Sequence, residues 1–328
     1  MANHKIYLFV ILLSILVTGS VIVVTRYHQE ISAAREQVNS LGSQVIKTDC
    51  GTIEYARVGE GYPVLVVHGL MGGFDQGLLQ AEFLDSKYQA IAVSRFGYLR
   101  SPMPEEADFN LQADLYACLL DELNISRVAV FGTSGGANSA ILFTARYPER
   151  TSALILMEPA APGKDMPPAP PRFIFDSLLR SDFLYWAMTK LSFTKSFLEN
   201  SIGVPKGFVL TPEMQTEVDR VLESTLPVSM RNDGMIFDMF SSAEMYEEIS
   251  ETAPYPLSQV ETPVLLISTL DDPNSIPENV KAMSEIFPHA RLFVLPDGGH
   301  LTLGHKDEVK AEIAQFLNSN VTGLNSSH

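Results

Sequence analysis

The hydrophobic pattern of this 328-residue chain begins with an unbroken, uncharged apolar run over residues 6–24. As an α-helix with a rise of 1.5 Å per residue, this run is about 30 Å long, which matches the hydrocarbon thickness of a bilayer. Lys5 precedes the run and Arg26 follows it. We therefore predict a transmembrane anchor over residues 1–26 and a polar stalk or linker over residues 27–50. A cleaved secretory signal and a buried core helix are the alternatives.

From residue 52 onward, short β-branched runs alternate with stretches of helical period. The predicted strands are 52–58, 64–67, 89–94, 127–131, 153–157, 264–268 and 291–295. The predicted helices are 77–84, 111–123, 137–147, 277–286 and 307–317. This alternation predicts an α/β fold with a mostly parallel central sheet flanked by helices, spanning residues 51–318. Residues 319–328 are predicted to be a disordered tail.

Residues 162–263 break this alternation, because they contain no strong strand pattern. A segment this long is too long for a structureless connection, so we predict an inserted helical cap over about residues 163–260. Phe173, Phe183 and Trp186 are its candidate substrate-binding residues. The same aromatic side chains would also suit the cap's own core.

Composition excludes several classes of protein. Thirty-nine acidic and 23 basic residues give a net charge of −16, which disfavours nucleic acid as a partner. The two cysteines, Cys50 and Cys118, are too few for a disulfide scaffold or a cysteine zinc cluster. Cys118 is expected to be a small core residue, and Cys50 has no evident partner in the sequence pattern. Neither a phosphate-binding loop nor a metal-ligand motif occurs, so we predict no cofactor.

The sequence Gly-Thr-Ser-Gly-Gly at residues 132–136 lies between a predicted strand and a predicted helix. A Gly-x-Ser-x-Gly motif in this context forms a sharp turn that exposes the serine oxygen at the sheet edge. The helix that follows directs N–H groups toward developing negative charge. Ser134 is therefore the candidate nucleophile.

A serine nucleophile needs a base and a carboxylate that orients the base. His300 follows the predicted strand 291–295, at the same edge of the sheet as Ser134. Asp271 and Asp272 both follow the strand 264–268. We favour Asp272 as the acid, with Asp271 as the alternative.

An oxyanion hole requires two backbone N–H groups close to the nucleophile. One candidate is the N–H of Gly135, directly after Ser134. The second is the N–H of Leu70, in the loop His68-Gly69-Leu70 that follows the strand 64–67.

The order Ser134, Asp272, His300, with His68-Gly69 upstream, resembles the α/β-hydrolase fold family, specifically its serine-hydrolase branch of esterases and lipases. The resemblance extends over about residues 52–317 and implies a cap above the active site. In this family the acid usually lies in Gly-x-x-Asp. Thr269 occupies the glycine position here, which points to Asp272. A serine nucleophile argues against the dehalogenases and epoxide hydrolases of this fold.

We therefore expect a membrane-anchored serine hydrolase that cleaves a carboxylic ester, with a small-molecule or lipid-like ester as substrate. Other reactions on the same frame are the alternatives: C–C bond hydrolysis, peptide hydrolysis or perhydrolysis. A non-catalytic binding module is a further alternative. A short charged start before a long apolar run is typical of a signal anchor, which favours an extracytoplasmic catalytic domain. The sequence leaves the oligomeric state open.

Overall fold

The computed structural model describes residues 2–161, 171–248 and 257–321. Its centre is an eight-stranded sheet in the order β1-β2-β4-β3-β5-β6-β7-β8. β1 pairs antiparallel with β2, and β2 pairs antiparallel with β4, whereas the remaining neighbours are parallel. The strands are β1 (Gln44–Thr48), β2 (Gly51–Val58), β3 (Tyr62–Val67), β4 (Tyr88–Ser94), β5 (Val128–Thr133), β6 (Thr151–Met157), β7 (Val264–Thr269) and β8 (Ala290–Leu295).

Helices cover both faces of the sheet and also form the cap. The sheet helices are α2 (Phe74–Gln80), α3 (Phe109–Glu122), α4 (Gly136–Arg146), α10 (Pro277–Ile286) and α11 (Lys306–Val321). One apolar core joins the sheet to α3, α4 and α10, and a second joins its other face to α2 and α11. Because the central strands are buried on both faces, they form nearly continuous apolar runs. The predicted fold class, a mostly parallel sheet covered on both sides, is confirmed.

Strand β1 lies inside the segment 27–50 that we assigned to the linker. It pairs with β2 from Gln44↔Tyr55 to Thr48↔Gly51, so the sheet begins before residue 51. Four of its five residues are exposed or half-buried, as expected for an edge strand, which explains why its apolar pattern is weak. At the other end, α11 includes residues 319–321 of the predicted tail. Residues 322–328 lie outside the described part of the chain.

The first helix, α1 (Ala2–Ser40), joins the predicted anchor and most of the predicted linker without a break. Within Lys5–Ser40, an 18-residue window has a mean hydropathy of 2.7, and by length and composition this helix is apolar enough to cross a membrane. The large side chains of the apolar run are exposed, whereas Ile31 and Val38 are buried against the domain. The second half of α1 is therefore a docked helix.

The cap lies between β6 and β7, where we predicted it. Its described helices are α5 (Arg172–Leu179), α6 (Asp182–Lys190), α7 (Ser192–Ser201), α8 (Pro212–Ser224) and α9 (Asn232–Glu248). The predicted cap residues 162–170 and 249–256 lie outside the described residues.

Two buried ion pairs connect the cap to the sheet. Arg95, after β4, pairs with Asp238 of α9 at 2.5 Å, and Arg231 pairs with Asp75 of α2 at 2.6 Å. The hydroxyl of Tyr98 donates a second hydrogen bond to Asp238 at 2.5 Å. All five side chains are buried, so both pairs are shielded from solvent screening.

A disulfide joins Cys50, in the turn between β1 and β2, to Cys118 of α3. The two Cα atoms are 6.1 Å apart, within the usual range for a disulfide. Our expectation that Cys50 has no partner is wrong, because 68 residues separate the two cysteines and only the packing of α3 brings them together.

Candidate active site

Ser134 lies in a strained turn between β5 and α4. Its φ of 52° is in the left-handed region, which a residue with a side chain rarely adopts. The N–H of Ser134 donates to the carbonyl of Met157 at the end of β6, at 3.1 Å. A Cβ on Gly136 would lie 2.3 Å from the carbonyl oxygen of His68, so the turn requires a glycine there. This geometry is that of a nucleophile elbow.

The structure brings Asp272 and His300 together. The Nδ1–H group of His300 donates to Oδ2 of Asp272 at 2.6 Å, which leaves Nε2 as the ring nitrogen that can accept a proton. The N–H of Asn274 also donates to Asp272, at 2.7 Å. Burial opposes ionisation of Asp272, but His300 and the other donors outweigh burial and hold its pKa below the ordinary value. Asp272 is therefore ionised at neutral pH.

Asp271 has a different position. Its carboxylate accepts the N–H groups of Gly298 and Gly299, at 3.3 and 2.8 Å. These bonds hold the loop that precedes His300, so Asp271 contacts the loop backbone while Asp272 contacts the imidazole.

The loop after β3 packs directly against the nucleophile. A Cβ on Gly69 would lie 3.0 Å from Cβ of Ser134. The backbone nitrogen of Leu70 lies 3.8 Å from the point where a Cβ on Gly135 would be. The two predicted oxyanion donors are thus neighbours beside Ser134.

His68 supports this loop through both ring nitrogens. Nδ1–H donates to the carbonyl of Gly69 at 2.7 Å, and Nε2 accepts the N–H of Arg95 at 3.1 Å. Burial, and next the charge of Arg95, lower the pKa of His68 well below its usual value. A neutral imidazole with occupied nitrogens positions the backbone and does not serve as a base.

Glu158 is a site residue that the sequence analysis missed. It follows β6, has a φ of 44° and is fully buried. One carboxylate oxygen of Glu158, one of Asp272 and a ring nitrogen of His300 lie within 4.8 Å of one another. The available signal was a lone acid directly after the apolar run 153–157, at the carboxyl edge of the sheet.

The environment of Glu158 favours its protonated form. Burial, followed by the charge of Asp272 and a hydrogen bond with it, raises the pKa of Glu158 well above the ordinary value. The same hydrogen bond helps to lower the pKa of Asp272. These three side chains are close enough to bind a metal ion, but metal ligands must be deprotonated. A neutral Glu158 therefore suits a hydrogen-bond donor better than a metal ligand.

The cap reaches the site through the segment after α7. The N–H of His300 donates to the carbonyl of Gly203 at 3.0 Å, and the side-chain amide of Asn274 donates to the carbonyl of Ser201 at 3.1 Å. Gly203 has a φ of +96°, and a Cβ there would lie 2.0 Å from Cβ of His300. The cap backbone thus sits directly on the histidine.

The three predicted substrate-binding residues either contact helix α1 or are exposed to solvent. The ring of Tyr27, in α1, lies 5.2 Å from Phe183 and 5.5 Å from Trp186. Phe173, in α5, is 71% exposed. Two of these three side chains thus pack against α1, a partner that the sequence pattern did not indicate.

Known proteins resemble this chain at the levels of sequence and fold. An uncharacterized hydrolase of Bacillus subtilis, YcgS, is 34% identical over 113 residues, which are 34% of this chain and 40% of that protein. The chain thus matches less than half of the length of that relative. A putative esterase/lipase of Haemophilus influenzae is 24% identical over 262 residues, covering 79% of this chain and 84% of that protein.

The solved structure of an alpha/beta hydrolase fold protein from Nakamurella multipartita has a TM-score of 0.66 and 25% identity. That match covers 85% of this chain and 99% of that structure. The model of the alpha/beta hydrolase fold family matches residues 62–307, which include the elbow, Asp272 and His300. The chain therefore belongs to the alpha/beta hydrolase fold family.

Proposed function

We propose that this protein is a membrane-anchored serine hydrolase that cleaves a carboxylic ester through the triad Ser134, His300 and Asp272. The observation that carries the proposal is the 2.6 Å bond between His300 and Asp272, at the sheet edge where Ser134 occupies its strained turn. The esterase/lipase name of the Haemophilus influenzae relative supports an ester substrate, small or lipid-like.

The mechanism follows from the donors and acceptors of the site. Asp272 holds the His300 ring so that Nε2 takes the proton of Ser134 as its oxygen attacks the ester carbonyl carbon. The N–H groups of Leu70 and Gly135 bind the oxyanion. The C–O bond to the alcohol then breaks, and the alcohol leaves with the proton from His300. Water, deprotonated by His300, attacks the acyl-enzyme and releases the acid and Ser134.

Glu158 supports this mechanism as a positioning residue. As a neutral carboxyl group it donates to Asp272, which lowers the pKa of that aspartate. An ionised Asp272 is what the imidazolium requires during the reaction.

The disulfide supports an extracytoplasmic catalytic domain. Cys50–Cys118 is the type of bond that persists in oxidising compartments and is rare in the cytosol. With residues 6–24 as a membrane span, the domain would then lie on the outer side. Maleimide-polyethylene glycol labelling of denatured protein tests this: both cysteines should react only after reduction. Labelling without reductant would contradict the assignment.

A fluorophosphonate probe tests the catalytic proposal. The wild type should be labelled, Ser134→Ala should not, and Ser196→Ala, at an exposed serine of α7, should label like the wild type. Labelling that does not depend on Ser134 would overturn the proposal in favour of a binding module. A chain-length series of p-nitrophenyl esters then defines the acyl preference. Labelling without ester turnover would indicate that this fold catalyses another reaction here.

A further inference from the structure

Helix α1 continues past the apolar run and packs against α6 of the cap. The ring of Tyr27 makes edge contacts with Phe183 and Trp186. One turn further on, Ile31 is buried in the apolar cluster that also contains Trp186. The connection between the span and the domain is therefore a packed interface, which fixes how the cap is oriented toward the membrane.

Polar contacts strengthen the same interface. Glu30 accepts a hydrogen bond from the indole N–H of Trp186 at 2.9 Å and pairs with Lys190 at 2.6 Å. Arg35 pairs with Asp182 at 3.4 Å. The contacts involve both ends of α6, so the helix is held along its length.

The rise of α1 places α6 at the membrane surface. Tyr27 lies three residues beyond residue 24, about 4.5 Å along the helix axis, and Glu30 lies about 9 Å along it. The headgroup layer is about 5–8 Å thick on each side of the hydrocarbon. Because Phe183 and Trp186 contact Tyr27, this part of α6 lies at the depth of the headgroups.

Two of the three exposed residues of α6 are apolar, and the third, Lys190, pairs with Glu30 of α1. Phe183 is 44% exposed, Leu184 45% and Leu191, directly after the helix, 51%. Phe183 and Leu184 are neighbours on the exposed side of the helix, and Leu191 follows its last residue with an extended backbone. Exposed apolar and aromatic side chains beside a membrane span are typical of an interfacial surface. We refer to Phe183, Leu184 and Leu191 as the α6 face.

We propose that the α6 face inserts into the headgroup layer of the bilayer that α1 spans, and that the enzyme takes its ester substrate from this lipid surface. The proposal rests on the membrane anchor and on the proposed esterase function. The net charge of −16 opposes attraction to anionic lipids, so apolar burial drives the insertion and a zwitterionic surface is sufficient.

The packing of the cap connects this surface to the site. The apolar cluster that contains Ile31 and Trp186 also contacts Leu70, the proposed oxyanion donor, and Leu301, next to His300. Insertion of the α6 face therefore places the cap that covers the triad against the source of a lipid-like ester.

The single tryptophan provides a direct test of depth. The full chain is reconstituted in phosphatidylcholine vesicles that carry a nitroxide quencher either in the headgroup or at the end of the acyl chain. The headgroup quencher should reduce Trp186 emission strongly, and more than the deep quencher. Emission that neither quencher changes would overturn the proposal.

A matched control moves the tryptophan to the opposite end of the sheet. Ile286 is exposed at the end of α10, just before the start of β8. In a Trp186→Phe/Ile286→Trp variant, neither quencher should act. If cross-linking instead joins two chains through the α6 face while Trp186 is unquenched, the surface is an interface between copies and the proposal is wrong.

Rates of ester hydrolysis test whether the enzyme takes its substrate from the bilayer. They also distinguish this proposal from the proposed esterase function. Leu184→Asp should lower hydrolysis of a bilayer-dissolved ester about 10-fold, as expected for loss of one buried leucine, and leave a water-soluble ester unchanged. Ile286→Asp should affect neither ester. Equal loss on both esters, or no loss on the bilayer ester, would contradict surface uptake. If the wild type hydrolyses neither ester, the esterase function fails, while the quenching result still decides the docking.

Discussion

The carboxyl edge of the sheet and the cap organise their residues in different ways. At the sheet edge, Ser134, Asp272 and His300 each follow a strand, so their meeting point is set by the strand order. In the cap, the decisive contacts join residues about 150 positions apart, such as Arg231 with Asp75 and Trp186 with Glu30. The proposed chemistry therefore depends on the sheet, whereas the attachment of the cap to the core and to α1 depends on long-range packing.

The largest expected effect concerns the sheet edge. Asp272→Asn should lower kcat by about 10⁴-fold, because the amide stabilises the wrong tautomer of His300. Asp271→Asn is the matched control, since its amide oxygen can still accept the shorter of the two loop hydrogen bonds, from the N–H of Gly299, and it should retain turnover. Steady-state kinetics on a p-nitrophenyl ester measure both. A larger loss for Asp271→Asn would assign the triad acid to the other aspartate.

The next effect concerns the attachment of the cap. Asp238→Ala leaves Arg95 buried without its counter-charge and should lower the free energy of unfolding by about 3–5 kcal/mol. Asp219→Ala removes a partly exposed pair with Lys195 and should cost less than about 1 kcal/mol. Thermal unfolding of the full chain in detergent compares the two variants. Equal shifts would show that the buried pair does not hold the cap.

The contact between the cap and the proposed triad is tested at Gly203. Gly203→Ala introduces a Cβ that collides with His300 and must adopt a positive φ. A displaced histidine should lower kcat/KM by about 10²-fold. Gly207→Ala is the matched control, because its φ of +80° imposes similar strain but its Cβ meets open space. If both variants lose activity equally, strain and not the collision is responsible.

The smallest effect is the pH dependence contributed by Glu158. Its pKa is raised in the folded state. At pH values between the ordinary pKa of 4.5 and the pKa of the folded state, folding is therefore accompanied by uptake of a proton. The free energy of unfolding therefore falls as pH rises through that window, by up to about 1.4 kcal/mol per pH unit. Glu158→Gln removes this contribution.

Melting temperatures of wild type and Glu158→Gln between pH 6 and pH 8 measure the effect. The wild type should lose stability relative to the variant as the pH rises. Parallel curves for the two proteins would mean that Glu158 does not hold its proton in this range.

The sheet was predictable because its central strands are buried on both faces and form apolar runs. β1 was missed because an edge strand exposes most of its side chains. Ser134 and His300 could be proposed from motifs that follow strands. Asp271 and Asp272 could not be separated by pattern, since adjacent residues in one turn point in different directions. Glu158 lacked any motif, because its role depends on the neighbouring strand β7.

The sequence alone determined the alternation of strands and helices, the order of the candidate triad and the length of the apolar run, since these depend on local periodicity and spacing. Only the tertiary structure decided which aspartate contacts His300, that Cys50 pairs with Cys118, and that α1 packs against α6. These contacts join residues far apart in the chain, and no local pattern records which distant surfaces will meet.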